Sequence, residues 1–164
     1  MPPSAADFIF CIRILSAFLQ LQMKLIFRAI GKPHEPFVKE GVEQFTKRIS
    51  HYFPAAWQVI PMPRNAGSLP PEALKEEEGK MLLQGIQPDD FVVLMDERGK
   101  MLSSEAFAQF IQDRANASVR TLIFLIGGAY GVSGPVKQRA NYTWSLSPLV
   151  FPHQLVRLIL AEQV

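Results

Sequence analysis

Residues 122–134 read LIFLIGGAYGVSG, and this stretch decides the fold. Leu122, Ile123, Phe124, Leu125 and Ile126 form an unbroken apolar run that ends abruptly at Gly127 and Gly128. A run without polar alternation suits a strand covered on both faces, as in a parallel sheet. Paired glycines let the chain turn sharply there and let a ligand come close to the backbone. In open α/β sheets, ligands sit beyond the carboxyl ends of the strands, where these glycines fall. The glycines at 127, 128, 131 and 134 do not fit G-x-G-x-x-G, and no G-K-[ST] follows. A dinucleotide fingerprint and a P-loop are therefore disfavoured.

Composition narrows the class. The chain has 164 residues, 48% hydrophobic and 20% charged, the profile of one soluble globular domain. A formal charge of +2 is too small to argue for nucleic acid on its own. Cys11 stands alone, which excludes an internal disulfide. His34, His51 and His153 lie far apart in sequence, so no zinc spacing and no metal is expected. A reducing, cytoplasmic compartment is the natural reading.

Residues 1–22 read as an extension outside the domain, which spans 23–164. The apolar part, 8–21, is interrupted by Arg13 and Gln20 and is short for a membrane span. Only Asp7 precedes it where a signal peptide carries positive charge. Met23 is the expected start of the domain, and no membrane role is expected.

From Lys24 onward, strands alternate with helices. Strands are expected at 25–30, 57–60, 91–95, 121–126 and 142–146. The 91–95 strand is expected to stop at Asp96-Glu97-Arg98-Gly99. Phe37, Val38, Val42, Phe45 and Ile49 recur at helical spacing, which predicts a helix over 36–52. Further helices are expected at 72–83, from the N-cap Ser103 to 116, at 135–140, and from 153 towards 164 with Pro152 at its first position. With no hairpin signals, the fold class is α/β with a mainly parallel sheet and flanking helices. The charge run at 75–78 reads as a solvated face.

A second informative stretch is SLSPLVFPHQLVR at 145–157. Pro148 and Pro152 exclude a regular central strand, so its first half is an irregular apolar loop. Such a loop offers backbone N–H and C=O groups at the edge of a pocket, which suits the hydrogen-bonding edge of a purine. A plain hydrophobic connection is the other reading.

Four segments carry a resemblance: MKLIFRAIGK at 23–32, DERGKMLSSEAFAQ at 96–109, FLIGGAYG at 124–131 and NYTWSLSPLVFPHQLVRLILAEQV at 141–164. In this order they resemble the ribosomal RNA large-subunit methyltransferase H family of the SPOUT superfamily. The resemblance implies a SPOUT-like fold with a C-terminal trefoil knot, a homodimer, and S-adenosyl-L-methionine as methyl donor. It also implies a pseudouridine in large-subunit (23S) rRNA of the assembled ribosome as substrate, methylated at ring nitrogen N3. Carried over residue by residue, the cofactor site is Met95, Gly127, Leu146, Ser147, Pro148, Leu149, Val150 and Phe151. Met95 replaces the family's usual leucine, an apolar exchange of similar volume.

The transfer displaces a methyl group from a sulfonium, so orientation dominates, and a proton must leave the ring nitrogen. His153 and Arg157, one turn apart on the last helix, are the candidates for that chemistry. Family members continue past Glu162-Gln163-Val164 with a Tyr-Arg-Ala segment and a tail rich in His and Tyr that approaches the cofactor. The chain as given is therefore expected to bind cofactor better than it methylates. The alternative to an active enzyme is a catalytically impaired cofactor- or ribosome-binding remnant. Leu155, Val156, Leu158, Ile159, Leu160 and Val164 make the last helix apolar nearly all round, which calls for a partner subunit as cover.

Overall fold

The apolar run at 122–126 forms the middle strand of a five-stranded, wholly parallel sheet. The computed structural model describes residues 22–164. Cys11 and the apolar stretch at 8–21 lie outside the described residues, as does the expected extension apart from Gln22. The elements are β1 (Lys24–Ile30), α1 (Pro36–Ile49), β2 (Ala55–Ile60), a 3-10 turn (Ala66–Ser68), α2 (Pro71–Leu83), β3 (Phe91–Met101), α3 (Ser104–Asn116), β4 (Thr121–Ile126), α4 (Gly134–Arg139), β5 (Tyr142–Ser145) and α5 (His153–Gln163). The strand order is β2-β1-β4-β3-β5, so β4 lies between β1 and β3 and is covered on both faces.

Alternation along the strands sends side chains into two separate cores. Leu25, Phe27, Leu122, Phe124 and Trp144 point to the face covered by Phe107 of α3 and Leu160 of α5. Aromatic rings dominate that side: Phe27 stacks on Phe124 with centroids 5.5 Å apart, and Phe107 on Trp144 at 3.8 Å. Ile26, Leu94, Ile123 and Leu125 point the other way, against Leu82 of α2 and Val136 of α4. The result is a three-layer α/β/α arrangement with the carboxyl ends of β3, β4 and β5 side by side.

Several boundaries differ from the sequence expectation. β3 does not stop at residues 96–99 but continues to Met101. Met95 and Lys100 both face Trp144 across the sheet, so 96–99 form an outward excursion between two paired stretches. Gly99 makes this possible, because a Cβ there would lie 2.7 Å from the Trp144 carbonyl carbon. α1 ends at Ile49 rather than reaching 52, since Tyr52 and Phe53 both donate to the Ile49 carbonyl in a turn. Pro152 is the residue before α5 rather than its first, and β5 ends at Ser145, one residue before Leu146. Ser103 caps α3 as expected, its Oγ accepting from Ala106 N at 3.2 Å. Among the described residues, no helix is long and apolar enough to cross a membrane.

Candidate functional site

A cavity of about 480 Å³ opens where β3, β4 and β5 end. Three segments build it, each placed by the strand that precedes it. The excursion after Met95 brings Asp96, Glu97 and Arg98; the loop after β4 brings residues 127–132; the irregular loop after β5 brings Leu146, Ser147, Leu149, Val150 and Phe151. His153 and Val156 of α5 close one side, and Lys75 of α2 and Lys137 of α4 reach in from the opposite layer.

The loop after β4 is held tight by its own backbone. Gly131 N donates to Gly128 O at 3.1 Å, and Gly131 has φ +83°, a conformation that favours glycine. Gly127 has no positive φ. A Cβ on Gly127 would collide with Val132 Cγ1 and come 3.3 Å from Gly131 O, so the missing side chain lets the loop fold on itself. The loop after β5 is shaped by serine hydroxyls: Ser145 Oγ donates to Ser147 O at 2.9 Å, and Ser147 Oγ accepts from Leu149 N at 3.0 Å. Leu149 and Val150 are left 67% and 82% exposed, so this wall is apolar and open to solvent.

His153 and Arg157 share α5 but not an environment. His153 is exposed on the cavity side. Desolvation by neighbouring protein lowers its pKa below the ordinary 6.5, and the Arg157 cation adds to that shift. Arg157 is 1% exposed and does not line the cavity. Its guanidinium donates to Lys32 O at 2.8 Å and Ile30 O at 3.2 Å, tying α5 to the end of β1. Gln154 adds to that anchor, donating to Pro33 O and accepting from Glu35 N.

Of the sequence-derived site residues, the cavity gathers Met95, Gly127, Leu146, Ser147, Leu149, Val150, Phe151 and His153. Pro148 and Arg157 are not on its wall. Sequence reasoning missed Asp96, Glu97 and Arg98 as wall residues, although their place directly after an apolar strand was a usable signal. Lys75 and Lys137 carried no such signal, because they come from distant elements. Among the described residues, no group of His, Cys, Asp or Glu is arranged to hold a metal.

Comparison with known proteins places the chain in a family. A family model described as "Predicted SPOUT methyltransferase" matches residues 23–164. The chain is 44% identical over 142 residues to a ribosomal RNA large subunit methyltransferase H of Cytophaga hutchinsonii, covering 87% of this chain and 91% of that protein. It is 41% identical over 147 residues to the protein of that name from Desulfitobacterium hafniense strain Y51, covering 88% and 91%. A probable methyltransferase from Bordetella pertussis Tohama I shares the fold, with TM-score 0.52 over 90% of this chain and 96% of that one at 11% identity. The chain belongs to the SPOUT methyltransferase family.

Proposed function

We propose that this protein methylates N3 of a pseudouridine in large-subunit (23S) ribosomal RNA within the assembled ribosome, using S-adenosyl-L-methionine, as a cytoplasmic homodimer. The observation that carries the reading is the cavity at the ends of β3, β4 and β5, where Met95, Gly127 and the loop after β5 converge. Family membership and the names of the relatives support the reaction class and the RNA.

The cavity's chemistry fits the donor. Met95, Leu149, Val150 and Phe151 offer apolar surface for an adenosine, and Asp96 and Glu97 offer carboxylates for a cationic ligand. Trp144 lines the cavity, and its buried Nε1 has no hydrogen-bond partner, leaving a donor for a ligand acceptor. When bound, the donor supplies an electrophilic methyl group on a sulfonium sulfur. The walls orient that group towards the RNA base and limit water access. The donor would pass its methyl group to N3 and leave as the neutral thioether, while the N3 proton would go to a base.

His153 is the base in this scheme. Its lowered pKa keeps the imidazole neutral, and so able to take a proton, at pH 7. Arg157 acts through α5: it fixes the helix that presents His153 and holds the imidazole in its neutral form. Pro148 shapes the loop whose neighbours line the cavity. The partly exposed apolar residues of α5, with Leu149 and Val150 beside them, form the dimer contact in this reading.

The test is methyl incorporation from radiolabelled donor into ribosomes lacking the modification, with the modified nucleotide mapped. Label at N3 of a single 23S pseudouridine is expected. His153→Ala is expected to lower kcat by roughly 10²-fold or more. The unsubstituted rate should fall as pH drops through the lowered histidine pKa, because protonation removes the base. Label on another nucleotide contradicts the substrate, and full activity of His153→Ala contradicts the base.

A further inference from the structure

Beneath the cavity, α2 and the loop after β4 interlock through glycines. A Cβ on Gly128 would overlap Glu78 Oε2 and lie 2.8 Å from both Glu78 Cδ and Oε1. Reciprocally, a Cβ on Gly79 would overlap Ser133 Oγ and lie 3.1 Å from Ser133 Cβ. The carboxyl group of Glu78 therefore rests against the Gly128 backbone, and Gly128 is part of the cavity wall. Lys75, one turn earlier on α2, reaches the same cavity.

Glu78 is only 3% exposed, and its Oε2 has no hydrogen-bond partner; neither has the buried Ser133 Oγ. Packing alone gives no reason for a carboxyl in this position, since an apolar side chain of similar size would fill the crevice without an unsatisfied polar atom. We propose that Glu78 is a positioning residue of the cofactor site, its buried carboxyl bracing the Gly127–Gly131 turn in the shape that receives S-adenosyl-L-methionine. This inference rests on the cofactor reading given above.

Burial raises the carboxyl pKa above its ordinary 4.5, and burial is the cause of that shift. Besides Glu78, the charged groups on the elements packed here are Glu72, Lys75, Glu76, Glu77 and Lys80 on α2, Lys137 and Arg139 on α4, and Lys24 and Arg28 on β1. Lys75 pairs with Glu72 at 2.8 Å, and Arg28 donates to the Leu82 and Gln84 carbonyls. Residues 127–133 contribute no charged side chain. A carboxylate there would be a buried charge with no partner, so burial favours the neutral acid.

The experiment is calorimetric titration of S-adenosyl-L-methionine into the full chain, Glu78→Gln and Glu78→Leu between pH 6 and pH 9, with thermal unfolding alongside. Glu78→Gln keeps the shape without a charge, so it should bind within about twofold of the unsubstituted chain across that range. Glu78→Leu should bind at least about tenfold more weakly while unfolding at the same or a higher temperature, an outcome that a purely structural role does not give. Equal affinity of Glu78→Leu and the unsubstituted chain overturns the inference. Binding by folded Glu78→Gln at least about tenfold weaker than by the unsubstituted chain does so as well, even if Glu78→Leu fails to fold. No binding heat from the unsubstituted chain at any pH overturns the cofactor reading, and the inference with it.

Discussion

The two faces of the sheet are built to different rules. Against α3 and α5, the rings of Phe27, Phe107, Phe124 and Trp144 pack on one another, and the buried Arg157 cation is tied to the carbonyls of Ile30 and Lys32. Against α2 and α4, an aliphatic core of Ile26, Leu94 and Leu125 gives way, near the strand ends, to Glu78 and Ser133 with unsatisfied polar atoms. A protein tolerates such atoms where a site needs them, and this crevice lies directly under the cavity's glycine loop. One face holds the strands together; the other holds the loop.

Substitutions on the two faces should therefore separate stability from binding. Phe124→Ala carries the largest expected effect. It removes a fully buried ring that touches both Phe27 and Phe107, and should cost about 3–5 kcal/mol of unfolding free energy. Denaturant titration checks this, and a loss below about 1 kcal/mol would mean that the aromatic face does not carry the sheet.

Gly127→Val should show the smaller, opposite pattern. Its side chain would press on Val132 and the Gly131 carbonyl, deforming the loop rather than the sheet. Cofactor affinity is expected to fall at least about 10-fold, or about 1.4 kcal/mol, in a domain that still folds. Unchanged affinity in a folded Gly127→Val chain would move the site away from this loop.

The same contrast explains what was legible in the sequence. The β4 run and the helical spacing of Val38, Val42 and Ile49 announced themselves through local periodicity, and the sheet with its helices followed. The glycines after β4 and the two prolines after β5 marked the cavity's loops, because backbone breaks are local signals. The continuation of β3 past Gly99 was hidden, since Asp96 and Gly99 read as a strand end and only the approach of β5 shows otherwise.

Arg157 shows a different limit. Helical spacing places it one turn from His153, yet its guanidinium is committed to carbonyls of residues 30 and 32, more than a hundred positions away in sequence. Glu78 is hidden for the same reason. Within the charge run at 75–78 it is indistinguishable from its solvated neighbours until the packing of α2 against Gly128 is known.

The central claim is that the methyl donor binds where β3, β4 and β5 end. A crystal structure of the full chain with S-adenosyl-L-homocysteine, the demethylated form of the donor, tests it most directly. The ligand is expected between the 96–98 excursion, the 127–131 turn and the 146–151 loop, with its sulfur on the side of His153 and an acceptor atom opposite Trp144 Nε1. A ligand bound elsewhere, with these three segments untouched, would contradict it.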